Sequence, residues 1–180
     1  AVSFDGSFYS SETTHPDSAP WVHVDPNVIE TVQGFVSATS NEKTTFICYE
    51  GSHIEDYPKI APKIHSFKII DPSYLKIIAH KRRVLTVPAG ALVIWDSHTF
   101  HCNQFDATEP SREVQYVCYM PKDDARYDWE TRRGYFDAIG TTGHNPFTDH
   151  MNARTPSGFS DLPDFPPNLS DIMDRVENLI

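Results

Sequence analysis

Short alternating runs of apolar and polar residues dominate the first two thirds of the chain, and this pattern predicts β-strands rather than helices. In the clearest run, the two-residue period places Arg112 and every second residue to Cys118 on one face, and Glu113 and Gln115 on the other. A Pro-Ala-Gly turn at 88–90 predicts a tight reversal between two of the strands. The stretches with strand character are 28–38, 44–49, 65–70, 84–87, 91–95 and 112–120.

Helical signals are fewer and lie mostly near the end of the chain. Residues 71–81 begin with Asp-Pro, which is typical of a helix start, whereas two prolines in 54–66 favour a loop. Further helices are predicted at 123–140 and at 169–180, where Ser170 is a suitable N-cap, with an irregular Gly-, Pro- and Asn-rich segment between them. Many short strands followed by a few helices predict a mainly β sandwich or barrel.

The length of the chain limits the number of domains, and its net charge limits the classes of partner. With 180 residues, the chain is expected to form one domain, with a core at 1–121 and a helical and irregular extension at 122–180 packed on it. The net charge of −10 argues against nucleic acid and membrane partners, because both are anionic. We therefore expect a small-molecule substrate, and the oligomeric state stays open.

The cysteines and the absence of a recognisable targeting signal indicate a compartment. No stretch reaches the roughly 20 apolar residues of a membrane span, and no signal peptide is recognisable. Cys48, Cys102 and Cys118 are odd in number and lack CxxC spacing, which predicts reduced thiols rather than disulfides. The expected localisation is cytoplasmic.

Two separated clusters of polar residues indicate a metal site. His23 and Asp25 are two residues apart, so on a strand both side chains point to the same face. His101 follows the apolar run at 91–95 and would complete a set of two histidines and one carboxylate. That set occupies one face of an octahedron and leaves the opposite face open, as in non-haem Fe(II) oxygenases. The open positions can take a bidentate 2-oxo acid and O2.

A co-substrate such as 2-oxoglutarate carries a second carboxylate that needs a fixed cation. Arg112 opens the strand after His101 on the face expected to point inward, and its planar, permanently charged fork suits a carboxylate. Gln33 and Asn103 are candidate hydrogen-bonding residues of the same cofactor pocket, although such residues also satisfy backbone groups.

Each of these residues also has a purely structural interpretation. His23 and Asp25 are compatible with a surface strand pair, and His101 with a hydrogen-bonded core histidine. Arg112 is compatible with an ion pair to Asp96 or Asp106. We expect His98 to lie behind the ligands or to face solvent rather than to bind the metal. Lys81, Arg82 and Arg83 are expected to form a solvated turn, which is able to attract an anionic substrate tail.

Five motifs together resemble the phytanoyl-CoA dioxygenase family of Fe(II)- and 2-oxoglutarate-dependent oxygenases. They are HVD at 23–25, VQGFV at 32–36, EGSH at 50–53, VPAGALVIWDSHTFHCN at 87–103 and REVQYVCYMP at 112–121. The resemblance implies a double-stranded β-helix, the jelly-roll fold of the cupins, with flanking helices. It implies metal ligation by His23, Asp25 and His101 and co-substrate binding by Arg112. Departures are a short stretch before His23, His98 where the family often has Arg, and EGSH where PGSH is common.

The expected function follows from this resemblance. It is hydroxylation of a small organic substrate with decarboxylation of 2-oxoglutarate to succinate, and the cofactors are Fe(II), 2-oxoglutarate and O2. Two alternatives stay open: a metal-binding cupin of another activity, and a non-catalytic jelly-roll module for binding or structure. The substrate itself cannot be selected from the sequence.

Overall fold

A computed structural model describes residues 2–3, 7–10, 21–25, 31–60, 67–106, 108–109, 111–121 and 130. The chain divides into two compact units, one formed by Ser7–Tyr116 and the other by Ala1–Gly6 with Val117–Ile180. In the second unit, Val2 forms a β-bridge with Tyr119. All elements of the candidate site lie in the first unit.

The described residues are mainly β and form two antiparallel sheets, which confirms the predicted fold class at this level. The strands are β1 Ser7–Ser10, β2 His23–Val24, β3 Val32–Ser37, β4 Thr45–Tyr49, β5 Lys68–Ile69, β6 Arg82–Val84, β7 Leu92–Asp96, β8 His101–Gln104 and β9 Arg112–Tyr119. One sheet has the order β1-β9-β3-β7, and the other has the order β5-β2-β8-β4-β6. The helices are α1 Ser52–Glu55, α2 Tyr57–Ile60 and α3 Pro72–Ile77, followed by a 3-10 turn at Ala79–Lys81.

Strand predictions with a clear alternation hold. The runs at 44–49 and 112–120 correspond to β4 and β9, and in β9 Arg112 and Val114 are buried while Glu113 is exposed. Within the described residues, the run at 28–38 begins only at Val32, and the described part of the run at 65–70 contains the two residues of β5. The helix expected at 71–81 begins where predicted, because the Asp71 carboxylate accepts a hydrogen bond of 2.7 Å from Ser73 N.

Two local predictions are wrong. The described part of the expected loop at 54–66 contains helical turns α1 and α2, which are too short to show a periodic pattern. The strands on either side of the turn at 88–90 do not pair with each other, because β6 pairs with β4 and β7 pairs with β3. The chain therefore changes sheet at this turn, where Gly90 adopts a φ of 81° that favours glycine.

The structure also bears on the predictions for the basic run at 81–83 and for the three cysteines. Lys81 ends the 3-10 turn and pairs with Asp56, and Arg82 begins β6. Residues 81–83 therefore do not form the expected solvated turn. Cys48, Cys102 and Cys118 carry thiols that are not joined in disulfides, as predicted.

The C-terminal predictions lie almost wholly outside the described residues. Of the helix at 123–140 the structure describes Glu130 alone, in helical conformation, and the helix at 169–180 lies outside the described residues. None of the described helices has the length and apolar character that a membrane crossing requires.

Two apolar clusters lie on opposite faces of the five-stranded sheet. Phe46 of β4 packs between the sheets, 5.7 Å between ring centroids from Phe35 of β3 and 4.4 Å from Trp95 of β7. Ile47, the next residue of β4, belongs to the second cluster, against which Tyr74 of α3 packs. We call the side of the five-stranded sheet that carries Phe46 its inner face.

Candidate metal centre

The structure brings His23, Asp25 and His101 together on the inner face. His23 of β2 and His101 of β8 are direct cross-strand partners, and their ring centroids are 4.4 Å apart. Asp25 follows His23 by two residues, so the alternation of side chains carries it to the same face. One ligand atom from each residue lies within 4.8 Å of the others. The three side chains predicted from the sequence could therefore hold one metal ion.

Both histidines are oriented by a backbone carbonyl two residues earlier in the chain. Nδ1 of His101 lies 2.8 Å from the oxygen of Thr99, and Nδ1 of His23 lies 3.2 Å from the oxygen of Trp21. Because a carbonyl oxygen only accepts, each Nδ1 carries the proton, and the lone pair of a neutral ring is on Nε2. This arrangement is how proteins fix the tautomer of metal-binding histidines.

The two Nε2 atoms face the carboxylate of Asp25. The distances are 3.6 Å from His101 Nε2 to Asp25 Oδ2 and 4.0 Å from His23 Nε2 to Asp25 Oδ1. Ligand atoms about 2.1 Å from an ion and at right angles are about 3.0 Å apart. Small side-chain adjustments would bring the nitrogens and one carboxylate oxygen to that spacing. The donor set and its geometry fit an octahedral divalent ion.

Gln33 holds the carboxylate in place. Its Nε2 donates a hydrogen bond of 2.8 Å to Asp25 Oδ2, and its Oε1 accepts one of 2.9 Å from Trp95 Nε1. Gln33 is buried, at 2% exposure. Gln33 was predicted to line the cofactor pocket, and the structure shows that it contacts the carboxylate of the candidate ligand Asp25.

The turn between β7 and β8 sets the position of His101. Asp96 accepts hydrogen bonds from two backbone N–H groups, that of His98 at its carboxylate and that of Thr99 at its carbonyl, both at 2.8 Å. The His98 ring stacks on Tyr57 with 4.0 Å between centroids. Among the described residues, His98 does not belong to the candidate ligand group.

The residue before His101 is also anchored. Phe100 N donates a hydrogen bond of 2.9 Å to the buried hydroxyl of Ser52 in α1, while its carbonyl accepts one of 2.9 Å from Tyr49 N in β4. The helical turn that sequence patterns missed therefore fixes the start of β8, where the third candidate ligand is located.

Arg112 is buried on the side of β9 that faces the other sheet. It is 1% exposed, and its guanidinium carbon lies 4.9 Å from the centroid of the Phe35 ring. Nη1 donates a hydrogen bond of 2.8 Å to Asn103 Oδ1, and Asn103 Nδ2 donates one of 3.0 Å to the Tyr116 hydroxyl. Burial lowers the pKa of Arg112, and the contact with Tyr116 opposes that shift. Asn103 thus supports the arginine, and Tyr116 was not singled out from the sequence although it shares the inward alternation of β9.

A single row of side chains crosses the inner face through the candidate ligands. Successive strand pairings place Ile69 opposite His23, His23 opposite His101, His101 opposite Cys48, and Cys48 opposite Arg83. We call these five residues the inner row. Neither Cys48 nor Arg83 was predicted to lie near the site, because the pairing partners of β4 cannot be read from its local pattern.

The fold and the site together define a mainly β protein with a candidate centre of two histidines and one carboxylate. In comparisons with known proteins, no protein-family model matches the chain and no curated protein matches it. The resemblance to the phytanoyl-CoA dioxygenase family therefore stays a prediction, and the functional assignment depends on the geometry of the site.

Proposed function

We propose that the protein is an Fe(II)- and 2-oxoglutarate-dependent dioxygenase that hydroxylates a small organic substrate, and that its sheets form a double-stranded β-helix. The observation that carries this proposal is the cross-strand pair His23 and His101, with both Nε2 atoms facing Asp25. The balanced reaction inserts one atom of O2 into a C–H bond of the substrate and the other into succinate, and 2-oxoglutarate loses CO2.

The protein's part in this reaction is to hold and orient. His23, Asp25 and His101 would bind the iron, and three ligands of this type leave coordination positions for a co-substrate and O2. When bound, the iron supplies the oxidising power. The carbonyls of Trp21 and Thr99 keep the imidazoles in the ligating tautomer, and Gln33 keeps the carboxylate turned toward them.

Arg112 would bind the distal carboxylate of 2-oxoglutarate. Its partner Asn103 follows His101 by two residues on the same face of β8, which is about 7 Å along a strand. That spacing is comparable to the length of a five-carbon dicarboxylate. Asn103 and the Phe35 ring fix the guanidinium before the co-substrate binds, which reduces the entropy lost on binding.

Incubation of the purified chain with Fe(II), ascorbate and 2-oxoglutarate tests the proposal. We expect succinate release even without an organic substrate, at a slow uncoupled rate. Metal binding with no effect of 2-oxoglutarate would indicate a cupin of another activity. Binding of neither metal nor 2-oxoglutarate would indicate a non-catalytic module. Both of these outcomes would refute the proposal.

Three variants and one control test the individual roles. Asp25→Ala and His101→Ala should abolish Fe(II) binding and succinate release, while His80→Ala, which changes an exposed histidine outside the site, should leave both unchanged. Arg112→Leu should raise the KM for 2-oxoglutarate and leave Fe(II) affinity close to that of the wild type. Full Fe(II) affinity in Asp25→Ala would show that the ligand assignment is wrong.

A further inference from the structure

A cavity of about 490 Å³ lies beside the candidate metal centre. Its volume falls within the range of about 300–1,000 Å³ that is typical of small-molecule sites. Cys48 and Leu85 line it on one side and Trp95 lines it on the other, while Glu50, His53 and Arg83 supply polar groups. The cavity thus combines an apolar wall with a charged and polar group of residues.

The cavity shares three residues with the surroundings of His101. Cys48 is the cross-strand partner of His101 in the inner row, and the Trp95 ring centroid lies 5.1 Å from that of His101. Thr99, whose carbonyl orients His101, also lines the cavity. A molecule in this cavity therefore lies next to a candidate metal ligand.

The cavity is separate from the proposed 2-oxoglutarate position. On β4, Phe46 pairs with Asn103 and Cys48 pairs with His101, so the cavity residues Cys48 and Glu50 continue the strand away from Asn103. Arg112 binds Asn103. The polar end of the cavity, at Glu50 and Arg83, therefore lies away from the proposed co-substrate arginine, while Leu85, whose N–H donates to the Phe46 carbonyl, brings the apolar end to the level of Phe46.

Arg83 is held in place independently of its acidic partner. Its Nη1 donates to the carbonyl oxygens of His80 and Arg82, at 2.9 and 3.1 Å, while Nη2 lies 2.6 Å from the Glu50 carboxylate. The Glu50 side chain is 67% exposed, and such ion pairs contribute little to stability. A ligand carboxylate can replace that of Glu50 on Arg83 without leaving a charge unpaired, because Glu50 then faces water. A ligand cation attracted to Glu50 would also meet the charge of Arg83, which the two carbonyls keep in the wall. The second carboxylate of the lining, that of Asp96, is already engaged by His98.

His53 offers a second polar group to the same ligand. Its Nδ1 is buried, and among the described residues no hydrogen-bond partner is found for it. His53 lines the cavity, and a rotation of its ring would be needed to turn Nδ1 toward a bound carboxylate.

We propose that this cavity is the substrate pocket and that Arg83 anchors a carboxylate of the substrate, which makes the substrate an amphipathic organic acid. The role of the cavity in catalysis rests on the proposed function, whereas its preference for an acid does not. The apolar part of the acid packs against Trp95, Cys48 and Leu85. Glu50 competes with the acid for Arg83 and so lowers the affinity of the cavity for the acid.

Isothermal titration with octanoate, octylamine and 1-octanol tests the preference in metal-free protein. The three probes share a chain length and differ in their polar end. We expect octanoate to bind about two- to fivefold more tightly than 1-octanol, as an ion pair with the half-exposed Arg83 implies, and octylamine to bind least tightly. Equal affinities for the three, or tighter binding of octylamine than of octanoate, would overturn the proposal.

Three variants assign the effect to residues. Arg83→Gln should weaken octanoate binding about two- to fivefold, and Glu50→Gln should strengthen it. Arg82→Gln is the matched control, because Arg82 lies on the opposite face of β6 and hydrogen-bonds to Gln104, and it should change little. Circular dichroism checks the folding of each variant. If Arg83→Gln is unfolded, the probe series and Glu50→Gln still decide, since unchanged or weaker octanoate binding by Glu50→Gln contradicts the proposed competition.

Repeating the titration with Fe(II) and 2-oxoglutarate under anaerobic conditions separates the two proposals. Octanoate affinity should not fall, because the sites are distinct, and displacement of octanoate by 2-oxoglutarate would overturn the separate pocket. Octanoate binding that depends on Arg83, in a protein that forms no succinate, would refute the dioxygenase and keep the acid-binding cavity. Succinate formation together with octanoate binding that is independent of Arg83 would refute only the pocket.

Discussion

Gln33→Leu is the most informative single substitution outside the candidate ligands. Leucine has a similar size but can make neither of the two hydrogen bonds of Gln33, the one to Asp25 Oδ2 at 2.8 Å and the one from Trp95 Nε1 at 2.9 Å. The substitution keeps all three candidate ligands and removes only the group that orients the carboxylate.

The two lost hydrogen bonds have separate consequences. The bond to the Asp25 carboxylate is charge-assisted and contributes about 1.5–3 kcal/mol, and loss of such a supporting contact typically costs about 10–100-fold in metal affinity. The bond from Trp95 matters for folding, because a buried donor left unsatisfied costs about 1–3 kcal/mol. We therefore expect Fe(II) affinity to fall by at least about tenfold and the free energy of unfolding to fall by about 2 kcal/mol.

Anaerobic titration with Fe(II) and urea unfolding of the metal-free protein measure these two effects. Gln104→Leu is the matched control, since Gln104 lies on the other face of β8 and also makes two hydrogen bonds, to Arg82 and to the carbonyl of Lys43. Adding Trp95→Phe to Gln33→Leu removes the unsatisfied donor, so part of the stability should return while Fe(II) affinity stays low. Equal losses of Fe(II) affinity in the Gln33 and Gln104 variants would refute the supporting role of Gln33.

Three further predictions follow from charges and burial. Burial alone would raise the pKa of Asp56, but hydrogen bonds from Lys81 and Tyr74 outweigh it and lower the pKa. Asp56→Asn should therefore reduce the free energy of unfolding by about 2 kcal/mol at neutral pH, the loss of a charge-assisted hydrogen bond while Lys81 keeps its contact with Glu55. This difference should shrink as the pH falls below the ordinary value of 3.8 in urea unfolding series. Protons compete with metal for Nε2, so Fe(II) affinity should fall between about pH 8 and about pH 6, and a flat titration profile would contradict histidine ligation. Burial raises the pKa of Cys102 to about 12, so iodoacetamide should label Cys48 first, as peptide mass spectrometry can show.

The candidate ligands were predictable because their signals are local. The two-residue period of a strand places His23 and Asp25 on one face whatever the rest of the fold does, and the polar cluster after the apolar run at 91–95 points to His101. Arg112 was predictable on the same grounds, since the alternation of β9 buries it.

Features that depend on strand pairing were not predictable. No local pattern indicates that β2 pairs with β8, or that the turn at 88–90 sends the chain from one sheet into the other. For the same reason Gln33 was recognised as a hydrogen-bonding residue without its partner, and Arg83 was assigned to a turn. The short helix α1 was missed because four residues carry too little periodicity, although its Ser52 anchors the start of β8.

The pairing of His23 with His101 makes the candidate metal centre a reporter of correct strand alignment. If β8 slipped by one residue, Phe100 or Cys102 would stand opposite His23, and His101 would turn toward the apolar cluster of Ile47 on the other face of the sheet. A chain that binds the ion at this centre therefore has β2 and β8 in their native alignment. Once bound, an ion would cross-link the two strands and would favour this alignment over pairings shifted by one residue during folding.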